Sequence, residues 1–238
     1  MTEGANMFDK YEAKGAYHWR ECDRRSREFN PPLAARYELV VKRAPAGRVL
    51  DVGAGDGYLA GRLAARCREV EAVEYEPSGV ALASDMLADL GNVSVRQGST
   101  YSLDYADAGF DGVVMADVIE HLDAPGAAVA EMARVLADDG VALITTPQWR
   151  ADRIWDERHV KEYTPDEFRA LLGEHFKSVE LVFSWPRLWS DAYRTRIGWR
   201  LLRMAGRLGF NPFLSESDSP EGRCQMLAIC RLPRRGEA

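Results

Sequence analysis

Residues 116–122, A-D-V-I-E-H-L, hold Asp117, Glu120 and His121 within five positions. If the segment is a helical turn, spacings of three and four residues bring all three to one face. Two carboxylates and an imidazole so placed could form a site for a divalent ion such as magnesium or manganese. Without a metal, His121 could act as a general base or substrate contact, because imidazole titrates near neutrality. A purely structural role is the third reading. His159, in E-R-H-V-K-E-Y-T-P, is a second catalytic candidate, as ligand or base. The alternative for His159 is a contact to the cap of a helix opening at Thr164-Pro165, where threonine suits the cap and proline the first turn.

A second group is glycine-rich. V-L-D-V-G-A-G-D-G places Gly53, Gly55 and Gly57 behind an apolar run and ahead of an amphipathic stretch. Glycine there lets the backbone turn sharply and approach a ligand closely. The amides opening the following helix can face an anionic group. A dinucleotide fingerprint, G-x-G-x-x-G, would need its third glycine at position 58, which is Tyr58, so a nicotinamide cofactor is disfavoured. Asp51 sits at the end of the preceding run and could hold an amino group or merely orient the loop. Glu74, closing V-E-A-V-E-Y, stands where ribose hydroxyls need an acceptor.

These groups need a scaffold, and the rhythm of the chain supplies one. RVLDV, EVEAVEY, NVSVRQ, FDGVVMAD and GVALITT read as strands, with helical stretches following most of them. That alternation predicts a Rossmann-like α/β fold. SVELVFSW and CQMLAICRL add two strands, giving a seven-stranded, mostly parallel sheet with helices on both faces and a helical insertion between the last two strands.

In these segments the chain resembles the class I S-adenosylmethionine-dependent methyltransferases. The likeness spans roughly residues 48–150 and rests on VLDVGAGDG, VEAVEYEPSGVAL, FDGVVMADVIEHL and MARVLADDGVALITTP, in the family's order and spacing. The resemblance implies S-adenosylmethionine as cofactor and S-adenosylhomocysteine as product. It implies that Asp51, Gly53 and Gly55 hold the methionine end and that Glu74 takes the ribose hydroxyls. Gly57, Tyr75, Ser99, Thr100 and Asp117 complete the expected cofactor contacts. Relatives often carry Gly-Asp after the third strand; Gly98-Ser99-Thr100 stands here, which removes a charge from the expected adenine contact. The Asp117, Glu120, His121 set also resembles the E-x-x-E-H metal ligands of ubiquinone O-methyltransferases and of small-RNA 2′-O-methyltransferases. Asp117 is one methylene shorter than the glutamate of those relatives, and a divalent metal is not favoured.

The expected acceptor half lies outside this core. Residues 1–45 form an N-terminal helical lid or substrate segment, with Tyr17, His18 and Trp19 either closing the site or packing on the sheet edge. Residues 46–185 form the cofactor core, 186–222 a basic amphipathic insertion, and 223–238 the last strand and tail. In the insertion, Tyr193, Ile197, Leu201, Met204 and Leu208 recur at helical spacing beside Arg196, Arg200, Arg203 and Arg207. The simplest expectation is a helix docked by its apolar stripe; an anionic acceptor or an anionic membrane surface are the functional alternatives.

The expected activity is O-methylation of a small-molecule acceptor such as a sugar, quinone or secondary metabolite. RNA 2′-O-methylation with a metal, N-methylation and a non-catalytic regulatory subunit are the alternatives. A net charge of −6 weighs against a protein that coats nucleic acid. No apolar run approaches the ~20 residues of a membrane span, and the N-terminal stretch lacks the apolar core of a signal peptide. Cys22, Cys67, Cys224 and Cys230 are scattered, as suits reduced thiols. The protein is expected to be cytoplasmic, a monomer or homodimer, with no transmembrane segment and at most peripheral membrane contact.

Overall fold

Val49, Leu50, Val52, Val113 and Val114 are fully buried, as strands covered by helices on both faces require. The computed structural model describes residues 10–152 and 156–234. Residues 1–9 of the N-terminal segment and 235–238 of the tail therefore lie outside the described residues. Seven strands, β1 (Arg48–Val52), β2 (Glu69–Glu74), β3 (Val93–Gln97), β4 (Phe110–Ala116), β5 (Leu136–Pro147), β6 (Phe176–Pro186) and β7 (Arg223–Pro233), form one sheet. Their order is β3-β2-β1-β4-β5-β7-β6, with β7 antiparallel to both neighbours. This is the expected Rossmann-like sheet. The order reverses between β1 and β4, and ligands bind at such a switch point, beyond the carboxyl ends of the strands.

Helices α3 (Pro31–Val41), α4 (Tyr58–Ala64) and α5 (Pro77–Leu87) cover one face through Leu39, Leu63 and Leu87. Helices α6 (Pro125–Val135) and α7 (Pro165–Gly173) cover the other through Met132, Phe168 and Leu172. Asn30 caps α3, accepting the Leu33 amide. Thr164 and Glu167 cap α7 reciprocally, as the Thr-Pro signal predicts. The four cysteines are all buried and free. Among the described residues, no helix is long and apolar enough to cross a membrane.

Two short N-terminal helices, α1 (Lys10–Lys14) and α2 (Tyr17–Glu21), lie against the glycine loop. The insertion carries α8 (Arg187–Tyr193) and α9 (Arg196–Arg207). Here the structure corrects the sequence: α9 docks by the opposite face to its apolar stripe. Leu202 and Gly206 are the buried positions, and a Cβ on Gly206 would lie 2.8 Å from the Phe29 ring. A small side of the helix fits closest to the body, so Ile197, Leu201, Met204 and Leu208 turn outward.

Candidate functional site

At the carboxyl ends of β1, β2 and β4 a cavity of about 750 Å³ opens, lined from the core by Asp51, Gly53, Glu74 and Asp117. Gly53 has φ +76°, which favours glycine, and a Cβ there would meet Val118 at 2.6 Å. Glu74 ends β2 with its carboxylate between two amides: Gly55 donates at 2.7 Å and Glu76 at 2.9 Å. Burial raises its pKa while those amides hold it down. Asp51 is buried, and its Oδ2 has no hydrogen-bond partner among the described residues. Burial, reinforced by the Glu74 charge, pushes its pKa up to about 8. A buried carboxylate with an orphaned oxygen in a cavity wall is a natural seat for a cation.

Gly57 and Ser99, two of the expected cofactor residues, do not line the cavity. Gly57, at φ +77°, starts α4, and its missing Cβ makes room for Leu87 and Ala83 of α5. Ser99 is spent on the chain itself, its Oγ accepting the Tyr101 amide at 3.1 Å. Thr100 and Tyr101 line the cavity instead, and Tyr75 lines it from a half-exposed position.

The N-terminal segment covers the loop. The Tyr11 hydroxyl lies where a Cβ on Gly55 would be, 2.0 Å from that position. Asp56 fastens α2: its carboxylate accepts the His18 amide and meets His18 Nδ1, both at 2.9 Å. The indole N–H of Trp19 donates to the Asp56 carbonyl at 2.9 Å. Tyr17 and His18 are buried with ring centroids 3.9 Å apart and line the cavity. Tyr17, His18 and Trp19 thus pack at the glycine loop beside the cavity.

At the fourth strand the expected helical face does not form. Asp117 has φ +51°, an uncommon conformation for a residue with a Cβ, and a single 3-10 turn follows at Ile119–His121. Asp117 points to other partners. It pairs with Arg36 of α3 at 2.6 Å and accepts from Thr145 Oγ1 at 2.5 Å and Gln225 Nε2 at 2.7 Å. The Asp117, Glu120, His121 metal set is therefore replaced by another: among the described residues, Glu120, His121 and His159 can each offer a ligand atom within 4.8 Å of the others. The two imidazoles meet edge-on with centroids 4.8 Å apart.

Each member of that cluster is held by a neighbour. His121 Nδ1 lies 2.9 Å from the Arg158 carbonyl, which can only accept, so the neutral ring carries its proton on Nδ1 and its basic lone pair on Nε2. His159 Nδ1 lies 2.7 Å from the buried Glu162 carboxylate, not at the α7 cap. Glu120 is buried and accepts from Thr146 Oγ1 at 3.0 Å; burial, then the Asp117 charge, raises its pKa well above the carboxylate range. The Glu120 carboxyl and two oriented imidazoles can take up or hand on a proton at the cavity wall.

Sequence reasoning did not find Arg36, whose guanidinium stacks on Trp185 at 5.3 Å while it holds Asp117. The signal for it was a lone arginine inside the apolar run LAARYELVV. It also did not find Tyr101, whose hydroxyl accepts the Asp123 amide at 3.1 Å and so fixes the loop after His121.

The comparisons agree with this geometry. Residues 50–144 match the model of a methyltransferase domain family. A Mycobacterium tuberculosis H37Rv protein named "Probable S-adenosylmethionine-dependent methyltransferase" is 34% identical over 160 residues, which are 64% of this chain and 57% of that protein. The chain thus spans little more than half the length of that relative. Among solved structures, YcgJ of Bacillus subtilis superposes with a TM-score of 0.60 at 22% identity, over 83% of this chain and 99% of that one. The [4+2]-cyclase SpnF superposes with a TM-score of 0.63 at 20% identity, over 90% of this chain and 86% of that one. A protein named for a cyclisation thus shares the fold, so the fold alone does not set the reaction. Residues 50–144, which hold Asp51, the glycine loop and Glu74, thus match a methyltransferase domain, and the chain is similar there to S-adenosylmethionine-dependent methyltransferases.

Proposed function

We propose that the chain moves the methyl group of S-adenosylmethionine to a hydroxyl of a small molecule. The observation that carries this reading is the orphaned Oδ2 of buried Asp51 in a cavity that also contains Glu74, His121 and His159. In this reading Asp51 faces the cofactor's ammonium group and Glu74 the ribose hydroxyls, while the open backbone at Gly53 leaves room for the methionine arm. When bound, the cofactor supplies a methyl already activated on a sulfonium, so alignment and proton removal are what remain. His121 supports the hydroxyl reading. Its tautomer presents Nε2 as the base, and an oxygen acceptor must shed a proton as it is methylated. An amine acceptor would need that base less.

Glu120, His121 and His159 would suit manganese, cobalt or zinc better than magnesium, because imidazole favours those ions. We favour the metal-free reading, since Asp117 belongs to Arg36 and leaves a single carboxylate in the cluster. The test is transfer of a radiolabelled methyl group to a panel of sugars, catechols and amines. Label on hydroxyl acceptors supports the reading, and label found only on amines overturns it.

A further inference from the structure

Helix α9 leaves an apolar ridge uncovered. Ile197 is 74% exposed, Leu201 55%, Met204 56% and Leu208 83%. Successive spacings of four, three and four residues align these side chains on one outward line of the helix. Phe210, just beyond its end, is 61% exposed. Isolated exposed leucines are ordinary; a continuous ridge along a whole helix marks an interaction surface.

The charges beside the ridge indicate what covers it. Arg196, Arg200 and Arg207 are exposed and lie roughly 60–100° around the helix from the ridge. Arg203 is half-buried, its guanidinium 4.2 Å from the Trp199 ring centroid. With Arg194, five arginines fall between Asp191 and Glu216, and no acidic residue falls among them, on a chain of net charge −6. Apolar side chains flanked by arginines are the pattern of a helix lying in the headgroup region of a bilayer. Lipid phosphates would neutralise this arginine row, which finds no acidic partner on the same helix.

We infer that α9 docks the protein on an anionic lipid surface, with Ile197, Leu201, Met204 and Leu208 entering the headgroup layer and Arg196 and Arg200 meeting the phosphates. Tyr193 and Arg194, immediately before α9, line the cavity, so docking brings that side of the cavity to the lipid surface.

The experiment is sedimentation of the full chain with vesicles of phosphatidylcholine alone and of phosphatidylcholine mixed with phosphatidylglycerol, at low and high salt. The expected result is binding to the mixed vesicles only, weakened by salt. Arg196→Gln/Arg200→Gln should weaken it roughly 30-fold, taking about 1 kcal/mol per arginine near such a surface. Ile197→Ser/Leu201→Ser should remove it, while S-adenosylhomocysteine binding stays at the parental value in both variants. Met204→Ser/Leu208→Ser repeats the apolar test should the first pair disturb folding. Absence of binding to mixed vesicles overturns the inference, as does binding that neither variant weakens. A dimer in light scattering that Ile197→Ser/Leu201→Ser dissolves also overturns it, since the ridge would then be covered by a second copy.

Discussion

The Gly55 amide donates to Glu74 Oε2 at 2.7 Å, so the carboxylate that faces the cavity also holds the glycine loop in place. Glu74→Ala should therefore weaken S-adenosylhomocysteine binding by about 1.5–3 kcal/mol, the usual range for a hydrogen bond to a charged group. It should also lower the melting temperature of the free protein, because the Gly55 and Glu76 amides lose their acceptor. Titration calorimetry and a thermal melt check the two effects. Unchanged affinity would take Glu74 out of the site.

Asp51 should show the reverse balance between stability and binding. Burial holds its pKa at about 8 in the folded protein, above the ordinary value of an unfolded carboxylate. With rising pH the unfolded chain gives up this proton first, so the group's contribution to stability falls as pH climbs towards 8. Asp51→Asn should thus raise the melting temperature at pH 8 and leave it nearly unchanged near pH 4, while weakening cofactor binding at both. Binding to the parent protein at pH 7 should also release a proton, because an ammonium group beside Asp51 favours the carboxylate. Calorimetry in buffers of different ionisation enthalpy measures that release, and Asp51→Asn should abolish it.

The sheet and the cofactor edge were legible because their signals are local. RVLDV and EVEAVEY each carry their own strand pattern, and the residues that end them, Asp51 and Glu74, reach the cavity. The fourth-strand cluster was legible in part. Glu120 and His121 sit on one 3-10 turn, but His159 reaches them only from 38 residues beyond His121, and no periodicity reports that meeting. Asp117 was misjudged because its left-handed backbone breaks the helical register, and its partner Arg36 lies on a helix 81 residues earlier. The apolar stripe of α9 was read correctly as a stripe but given the wrong side. Periodicity identifies a face, while the small residue Gly206 decides which face can approach Phe29.

The Arg36 and Asp117 pair is part-buried, with side chains 17% and 7% exposed. Removing one partner strands the other, so Arg36→Met should destabilise by about 3 kcal/mol. The double variant Arg36→Met/Asp117→Asn should recover part of that loss. Urea unfolding of both singles and the double supplies the cycle, and strict additivity would show that the pair is not coupled.

If His121 is the base, His121→Ala should lower turnover by roughly 10²–10⁴-fold with cofactor affinity unchanged. His159→Ala should lower it less, because His159 reaches the acceptor region beside His121 and not in its place. Turnover of the parent protein should survive exhaustive EDTA treatment. Loss of turnover in EDTA, restored by manganese or cobalt, would show that Glu120, His121 and His159 hold an ion.

The most direct test of the central claim is calorimetry of the parent protein with S-adenosylhomocysteine and, separately, with NAD. Saturable one-to-one binding of S-adenosylhomocysteine, lost in Asp51→Asn/Glu74→Ala and absent with NAD, is the predicted result. Binding of NAD without binding of S-adenosylhomocysteine would contradict it.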